Sequence, residues 1–438
     1  VITLMHKGKD LDPANWKNYR PVAVTEILYR ILGTCIQLKL APLMRHLVGE
    51  TQPGFIQGSH IDDDIIAVTE LAHYCNNRDR TGIFILLDAA KAYDRVHPEF
   101  VNKTLEAFGF PPAFLKLIQT MYTDINAKLK LNGHTGEPFP NTNGVRQGCC
   151  VAPSLFVLAQ EILLRSIREH KTLRGIQIPG ARGSTEPGET EEMRERAFAD
   201  DTGVALEDDS QLDILQNIIQ NYERISGAKF NEDKYIALRM GQAIKSLPPL
   251  KYQKDGECPM RWYKYGIDTI PYKDRYLGVV PGTKEQCIQQ WENKIQNTGT
   301  GLTNAIAQSN APRSTFGKEL WAKNVYAAKI WFPFKFQSPP EEDRKRLLAK
   351  LQKTIDEATL GWNFAKKSQL EQPYKEGGIQ HINVENHLDA EGAKLVQRML
   401  HEPQGKHQWR NFWMHGLRKT YNMRAADLDI ITSTCTFE

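Results

Sequence analysis

A short apolar run that ends in a single carboxylate places the strongest constraint on the fold of this chain. Residues 83–87 are all apolar, and Asp88 follows them directly. An unpaired acid is costly to bury, so the simplest structure is a buried strand that delivers Asp88 at its carboxyl end. The next residues, 89–96, suit a turn into a helix. Because a lone Asp after a strand is often only a helix cap, a second feature is needed to indicate chemistry.

That second feature is a pair of adjacent acids inside an apolar segment. Asp200 and Asp201 lie within residues 197–206, whose other side chains carry no charge. The acidic clusters at 62–64 and 208–209 lack apolar stretches on both sides. The pattern predicts a β-hairpin with Asp200 and Asp201 at its turn. Two carboxylates this close repel each other, and a bound cation would relieve the repulsion.

Together these acids supply the ligands that two-metal phosphoryl transfer requires. Carboxylates from separate strands can hold Mg²⁺ ions about 3.5–4 Å apart, one activating a primer 3′-hydroxyl and the other holding the triphosphate. The sequence has no GxxxxGK[ST] motif, which would have indicated an ATPase. We therefore predict metal-dependent nucleotidyl transfer at Asp88, Asp200 and Asp201. Two Mg²⁺ ions are expected, with Mn²⁺ as the alternative.

Length and composition limit the number of domains, the cellular compartment and the class of protein. A chain of 438 residues predicts two to four domains at roughly 100–200 residues each. No uninterrupted apolar run approaches the ~18 residues of a membrane span, so we expect no membrane association. The seven cysteines form no CxxC pairs, which disfavours a zinc site or a disulfide framework and favours a reducing compartment. The start at Val1, without Met or a signal segment, suggests a piece of a longer polypeptide.

Three segments interrupt an alternation of short apolar strands and amphipathic helices, which predicts an α+β fold with a mostly helical C-terminal part. They are a predicted surface loop at 179–195, an irregular segment at 241–272 and the Pro-Pro break at 338–340 before a helix over 341–359. Residues 301–350 hold nine basic and four acidic side chains among aromatics. This mixture favours a surface that follows phosphates, although a solvated helix face over an aromatic core would look the same.

Further motifs follow in a fixed order around the three acids. They are His6–Lys9, Asn18–Val22, Gln52–Gly58, Gly144–Pro153, Ser226–Lys234, Tyr276–Val279 and Glu376–Gln380. This order resembles that of reverse transcriptases, and most of all the enzymes of LINE-type (non-LTR) retrotransposons. Phe198 stands where Tyr is commoner in that family. No endonuclease domain or Cys/His knuckle accompanies the motifs.

The resemblance implies roles for individual residues. Lys7 and Arg20 would contact the incoming triphosphate, and Tyr93 would select the sugar. Ala89 joins the three acids in the metal site and, with Gln147 and Gly148, belongs to the nucleotide site. Lys234 would be the general acid that protonates pyrophosphate. The primer grip would consist of Tyr276, Leu277 and Gly278.

The resemblance also implies a right-hand polymerase with interleaved fingers and palm at 1–282, a helical thumb at 283–370 and a helical C-terminal extension at 371–438. Its partners would be an RNA template, a DNA primer or nicked target DNA, and deoxynucleoside triphosphates. Its location would be intracellular, in cytoplasm and nucleus as a ribonucleoprotein. The resemblance identifies no protein partner.

Two other functions stay open from the sequence. RNA-dependent RNA polymerases usually place a ribose-selecting acid five residues after the first catalytic Asp, a position that Tyr93 occupies here. A non-catalytic RNA-binding scaffold with a polymerase fold would be expected to have lost some of the carboxylates, whereas all three are present.

Overall fold

A computed structural model describes the chain at residues 1–8, 12–77, 80–140, 144–146, 148–180, 185–186, 189–232, 235–241, 276–279, 284–308, 312–360, 365–401 and 408–421. Two residues of the predicted site, Gln147 and Lys234, lie outside these ranges. So does the predicted irregular segment from 242 to 272.

Strands and helices are mixed along the described ranges, which confirms the α+β prediction. The strands are β1 Ile2–His6, β2 Tyr19–Ala23, β3 Thr81–Leu87, β4 Asn126–Leu131, β5 His134–Pro140, β6 Ile176–Ile178, β7 Glu191–Met193, β8 Glu195–Phe198, β9 Asp201–Leu206 and β10 Ile236–Gly241. The helices are α1 Ile27–Leu47, α2 Ile61–Asn77, α3 Ala92–Arg95, α4 Pro98–Ala107, α5 Pro112–Tyr122, α6 Ala152–Arg168, α7 Leu212–Ser226, α8 Lys284–Ile306, α9 Thr315–Trp321, α10 Ala328–Phe336, α11 Glu341–Thr359, α12 Lys367–Leu370, α13 Val384–His401 and α14 Gln408–Tyr421.

The chain divides into two compact units. The first is drawn from Val1–Asp64, Asp79–Gln177 and Glu192–Lys264, and the second from Ile65–Arg78, Ile178–Glu191 and Tyr265–Glu438. In the second unit, one apolar core joins Trp291 and Leu351 to Ile382 and Leu388. Residues from both sides of position 370 thus share this core. The predicted domain boundaries at 282 and 370 stay predictions.

A four-stranded sheet with the order β10-β3-β9-β8 forms the centre of the first unit. Its strand β3 pairs antiparallel with β10 on one side and β9 on the other. The side chains of Ile83, Phe84 and Ile85 are fully buried. Burial of neighbouring residues on both faces of a strand explains why its sequence is continuously apolar rather than alternating. A second four-stranded sheet in the same unit has the order β2-β1-β4-β5.

The helix predicted over 341–359 is confirmed, and one predicted loop is partly wrong. Helix α6 begins beside Pro153 in its first turn, and α11 starts directly after Pro340. The segment predicted as a loop at 179–195 contains β7 and the first residue of β8. Its acidic residue Glu195 is buried, because Arg168 Nε and Thr51 Oγ1 donate to its carboxylate at 2.8 and 2.7 Å. These partners lie far away in sequence, so local composition gave no sign of them.

One helix of the described ranges, α1, is long and apolar enough by length and composition to cross a membrane. Arg30, Lys39 and Arg45 separate its apolar residues, so the helix contains no long uninterrupted apolar run. Its buried residues include Ile36 and Leu40, which pack in a core of the first unit. Core helices of many proteins meet the same criterion, so the helix is weak evidence for a membrane span.

A buried charged network lies in the second unit. The imidazole of His381 sits between two carboxylates, with Nδ1 at 2.8 Å from Glu319 Oε2 and Nε2 at 2.8 Å from Asp356 Oδ1. Burial alone would lower the pKa of His381, but the hydrogen bonds and negative charges of both partners outweigh it and raise that pKa. Lys367 completes the network through an ion pair with Asp356 at 2.9 Å.

The basic segment 301–350 is less free to bind phosphates than its composition suggests. Five of its basic side chains form ion pairs with acids of this unit, namely Lys323, Lys335, Arg344, Lys345 and Arg346. Its aromatic residues include Phe334, which stacks on Trp291 in the core at a ring distance of 3.7 Å. Part of the positive charge of the segment is therefore paired within the second unit, and one of its aromatic rings lies in the core.

Candidate active site

The register of the central sheet brings the three predicted carboxylates together. Leu87 of β3 pairs with Thr202 of β9, so Asp88 follows opposite Asp201. Strands β8 and β9 form a hairpin in which Phe198 pairs with Asp201, and Ala199 and Asp200 make up its two-residue loop. The predicted hairpin with its acids at the turn is confirmed. All three acids lie at one end of the sheet.

The electrostatics of this end fit a cation site. Asp201 is exposed as a whole residue, but the surrounding protein partly removes its carboxylate from water. This burial, together with the negative charges of Asp200 and Asp88, raises the pKa of Asp201 to about 6. A divalent cation would relieve the repulsion among the three charges.

Within the described ranges, no three His, Cys, Asp or Glu residues form a ready-made metal cage. Mg²⁺ commonly binds through one or two carboxylates and completes its shell with water and substrate phosphates. Asp88 and Asp201, opposite each other across two strands, match that donor set in chemistry. The assignment of Ala89 to the same site stays a prediction.

The segment after α7 is joined to the strand that ends in Asp88. The N–H of Asn231 donates to the carbonyl of Asp88 at 2.8 Å, and the N–H of Ala90 donates to the carbonyl of Lys229 at 2.8 Å. These bonds fix the backbone on both sides of Ala89. The predicted general acid Lys234 is outside the described ranges, and its role stays a prediction.

Tyr93 lies in the short helix α3, close to the acids. Its ring is half-buried and stacks on Phe156 of α6 at a centroid distance of 4.5 Å. Burial and the negative charge of Asp200 raise the pKa of Tyr93. The ring therefore packs against α6 and is also a neighbour of the β8–β9 hairpin. Its contact with a sugar stays a prediction.

The glycines of the Gly144–Pro153 motif are required by neighbouring backbone. Gly144 has a φ of +80°, and a Cβ there would strike the backbone of Tyr93 and Asp94. Gly148 has a φ of +106°, and a Cβ there would strike the carbonyl of Ala23 in β2. The close approach at Gly148 is thus made to a neighbouring strand. Its predicted contact with a nucleotide is untested.

Arg20 lies in β2 of the other sheet of this unit, and Lys7 directly follows β1 of the same sheet. Arg20 pairs with Met5, and the N–H of Lys7 donates to the carbonyl of Asn18 at 2.8 Å. The pairing of β1 with β2 brings both basic residues to the same end of this hairpin, where both are exposed. Their contact with a triphosphate stays a prediction.

Residues 276–279 form a tight turn within the second unit. Tyr276 and Val279 exchange two backbone hydrogen bonds of 2.9 and 3.0 Å. Leu277 and Gly278 between them have φ values of +49° and +88°. The use of this turn as a primer grip stays a prediction.

Sequence analysis missed the side chains that hold the β8–β9 hairpin. Gln52 is buried, and its amide is hydrogen-bonded to both the N–H and the carbonyl of Ala199. Gln160 of α6 donates to Thr202 Oγ1 at 2.7 Å on the other side of the loop. The only available signal was the position of Gln52 inside the Gln52–Gly58 motif, which says nothing about its partner.

The chain is similar in sequence to one protein family and to several known proteins. The profile of the family described as "Reverse transcriptase (RNA-dependent DNA polymerase)" matches residues 6–280. A 149 kDa protein of transposon TX1 from Xenopus laevis is 26% identical over 428 residues, which is 97% of this chain and 30% of that protein. The Pol polyprotein of the type-2 retrotransposable element R2DM from Drosophila melanogaster is 26% identical over 268 residues, 60% of this chain and 23% of that protein. The chain thus spans less than a third of the length of either relative.

Similar solved structures are more distant. Telomerase from Candida albicans in complex with a fragment of telomeric RNA has 12% identity and a TM-score of 0.41, covering 94% of this chain and 58% of its own. The RNA-dependent RNA polymerase of a human picobirnavirus has 12% identity and a TM-score of 0.40, covering 96% of this chain and 64% of its own.

Proposed function

This chain belongs to the reverse transcriptase (RNA-dependent DNA polymerase) family, whose profile matches residues 6–280, and from this premise we propose that it extends a primer 3′-hydroxyl with deoxynucleotides on an RNA template. The matches to a protein of transposon TX1 and to the Pol polyprotein of a retrotransposable element support a retrotransposon of the LINE type as its source. The right-hand polymerase fold is that of the family.

The observation that carries the proposal is the pairing of β3 with β9. It sets Asp88 opposite Asp201 and leaves Asp200 in the adjoining turn. Carboxylates held on separate strands of a rigid sheet can bind a metal without a large rearrangement. The sheet therefore contributes to catalysis, because it positions the three carboxylates before substrate binds.

The family depends on divalent metal, and we propose two Mg²⁺ ions, with Mn²⁺ able to replace them. When bound, the metal lowers the pKa of the attacking hydroxyl and stabilises charge on the phosphates. Asp88 and Asp201 would hold it from two paired strands, and Asp200 would be a further ligand from the turn between β8 and β9. Tyr93 would lie under the ribose, while Lys7 and Arg20 would meet the triphosphate.

The RNA template and DNA primer are proposed partners. Telomerase, whose solved structure includes telomeric RNA, is one of the distant structural neighbours, but family membership is what supports the template. Tyr93, at the position where RNA-copying RNA polymerases usually have an acid, favours deoxynucleotides.

Primer extension tests the proposal. The chain should extend one DNA primer on an RNA template with deoxynucleotides in Mg²⁺, and should do so far better than with ribonucleotides. Extension with ribonucleotides alone would assign it to RNA synthesis. Tight template binding with no extension in either Mg²⁺ or Mn²⁺ would favour the non-catalytic scaffold.

A further inference from the structure

The catalytic hairpin carries an unfavourable backbone conformation at its tip. Ala199 has a φ of +55°, in the left-handed region that is sterically unfavourable for a residue with a side chain. It is the first of the two loop residues, a place where glycine is preferred in tight hairpins. The next residue is Asp200. Any relaxation of Ala199 would therefore move the carboxylates that bind metal.

One side chain satisfies both backbone groups of Ala199. The Oε1 of Gln52 accepts from the N–H of Ala199 at 2.9 Å, and its Nε2 donates to the carbonyl of Ala199 at 3.2 Å. The same Oε1 also accepts from the N–H of Gly54 at 3.1 Å. A primary amide offers an acceptor and a donor side by side, whereas a carboxylate offers only acceptors. Gln52 is 1% exposed, so its bonds to Ala199 form away from water.

Neighbouring contacts hold the rest of the hairpin in the same way. The N–H of Ala197 in β8 donates to the carbonyl of Thr51 at 2.8 Å. On the opposite strand, Thr202 accepts from Gln160 at 2.7 Å, and Gln160 lies 3.5 Å from the amide of Gln52. The loop is thus supported on both arms. Both supporting side chains are uncharged, so they add nothing to the repulsion among the acids.

We propose that Gln52 is a positioning residue for nucleotide addition, which holds the strained turn at Ala199 so that Asp200 and Asp201 face the metal site. The inference rests on the proposed polymerase function for its kinetic consequence. Gln52 touches no reacting atom and acts only through the backbone of Ala199. A misplacement of catalytic groups by about 1 Å can slow a reaction about 10²-fold, which sets the expected effect.

The test compares Gln52→Leu with the matched control Gln211→Leu. Gln211 is also buried in the first unit and also bonds backbone, accepting from the N–H of Arg174 at 2.9 Å, but it lies beyond the other end of β9. In single-turnover primer extension, Gln52→Leu should slow addition about 10²-fold and require more Mg²⁺ for half-maximal rate. Its affinity for primer-template should match that of the control.

A second substitution, Ala199→Gly, distinguishes a positioning role of Gln52 from a general loss of structure. Glycine adopts a positive φ without strain, so the effect of Gln52→Leu should shrink to about tenfold when Ala199→Gly is also present. A purely structural role predicts that the two substitutions add independently. That additive result, or equal rates for Gln52→Leu and Gln211→Leu, would overturn the proposal.

Hydrogen exchange at the amide of Ala199 tests the role of Gln52 without relying on polymerase activity. In Gln52→Leu the amide of Ala199 should lose protection, while Gln211→Leu should leave it protected. Unchanged protection in Gln52→Leu refutes the positioning role even if extension is slow. Absence of extension by the unsubstituted chain refutes the proposed function, and in that case the exchange result still decides whether Gln52 holds the turn.

Discussion

Two buried polar networks in this protein solve different problems. At the hairpin of the first unit, the neutral amides of Gln52 and Gln160 hold backbone and a hydroxyl beside three repelling carboxylates. In the second unit, the ionic network around His381 joins Glu319 and Asp356. Neutral amides can hold the hairpin backbone without adding charge beside the carboxylates. An ionic network stabilises the fold to a degree that varies with pH, because its members gain and lose protons. Substitutions in the first network should therefore affect activity, and those in the second should affect stability.

The largest expected effect is that of Asp200→Asn, which removes charge from the hairpin. Primer extension should fall by about 10³-fold or more, because transition-state stabilisation by metal is worth several kcal/mol. Affinity for primer-template should stay within a few-fold, since phosphate contacts carry it. Stability should not fall, because the substitution relieves repulsion with Asp201. Asp213→Asn, at an exposed site on α7, is the control, and near-normal extension by Asp200→Asn would remove the hairpin from catalysis.

Tyr93→Val tests whether the ring beside Asp200 selects the sugar. Loss of the ring should improve ribonucleotide incorporation relative to deoxynucleotides by roughly 5- to 150-fold, the equivalent of about 1–3 kcal/mol of overpacking. Tyr93→Phe keeps the stack on Phe156 and should keep discrimination. The ratio of incorporation efficiencies is the decisive quantity, because any loss of stability affects both sugars alike. An unchanged ratio would leave Tyr93 as a packing residue only.

Glu319→Gln tests whether the His381 network of the second unit contributes to stability. It removes one charge beside His381, and hydrogen bonds to charged groups contribute about 1.5–3 kcal/mol. We expect the free energy of unfolding in urea to fall by about 2 kcal/mol. Glu357→Gln is the control, because its ion pair with Lys353 is exposed and such pairs contribute little. Equal stability of the two variants would show that the buried network is not a major source of stability.

The smallest effects are those of pH. Acid should preserve the stability that the His381 network contributes, whereas it should slow primer extension. The raised pKa of His381 means that its stabilisation is complete below the ordinary pKa near 6.5 and is lost as pH rises through the folded-state pKa. The raised pKa of Asp201, about 6, means that mild acid protonates a carboxylate of the proposed metal site. Below about pH 6, extension should fall by about tenfold per pH unit at limiting Mg²⁺.

Urea unfolding at several pH values and extension at limiting and saturating Mg²⁺ measure these two effects. Higher Mg²⁺ should restore extension in mild acid, because metal and proton compete for the same carboxylate. Glu319→Gln should lessen the loss of stability at alkaline pH. Stability that rises with pH across the titration of His381 would contradict its assignment.

The sequence alone determined the elements that carry the chemistry. The apolar run 83–87 had to be a buried strand, and the charged pair inside the apolar segment 197–206 had to lie at a turn. Both are so because burying an unpaired carboxylate is too costly for any other arrangement. The helix at 341–359 followed from the prolines before it, since proline disfavours helix in the preceding residue and suits a helix start.

Only the tertiary structure decided which polar side chains support those elements. Gln52 lies 147 residues from Ala199, and Glu195 lies far from Arg168 and Thr51. The local sequence around Gln52 and Glu195 is typical of an exposed loop, because a distant partner that satisfies a buried hydrogen bond leaves no periodic pattern nearby. The loop prediction at 179–195 was wrong at its end for this reason. Strand register likewise set Asp88 opposite Asp201, because only pairing across distant segments determines which residues face each other.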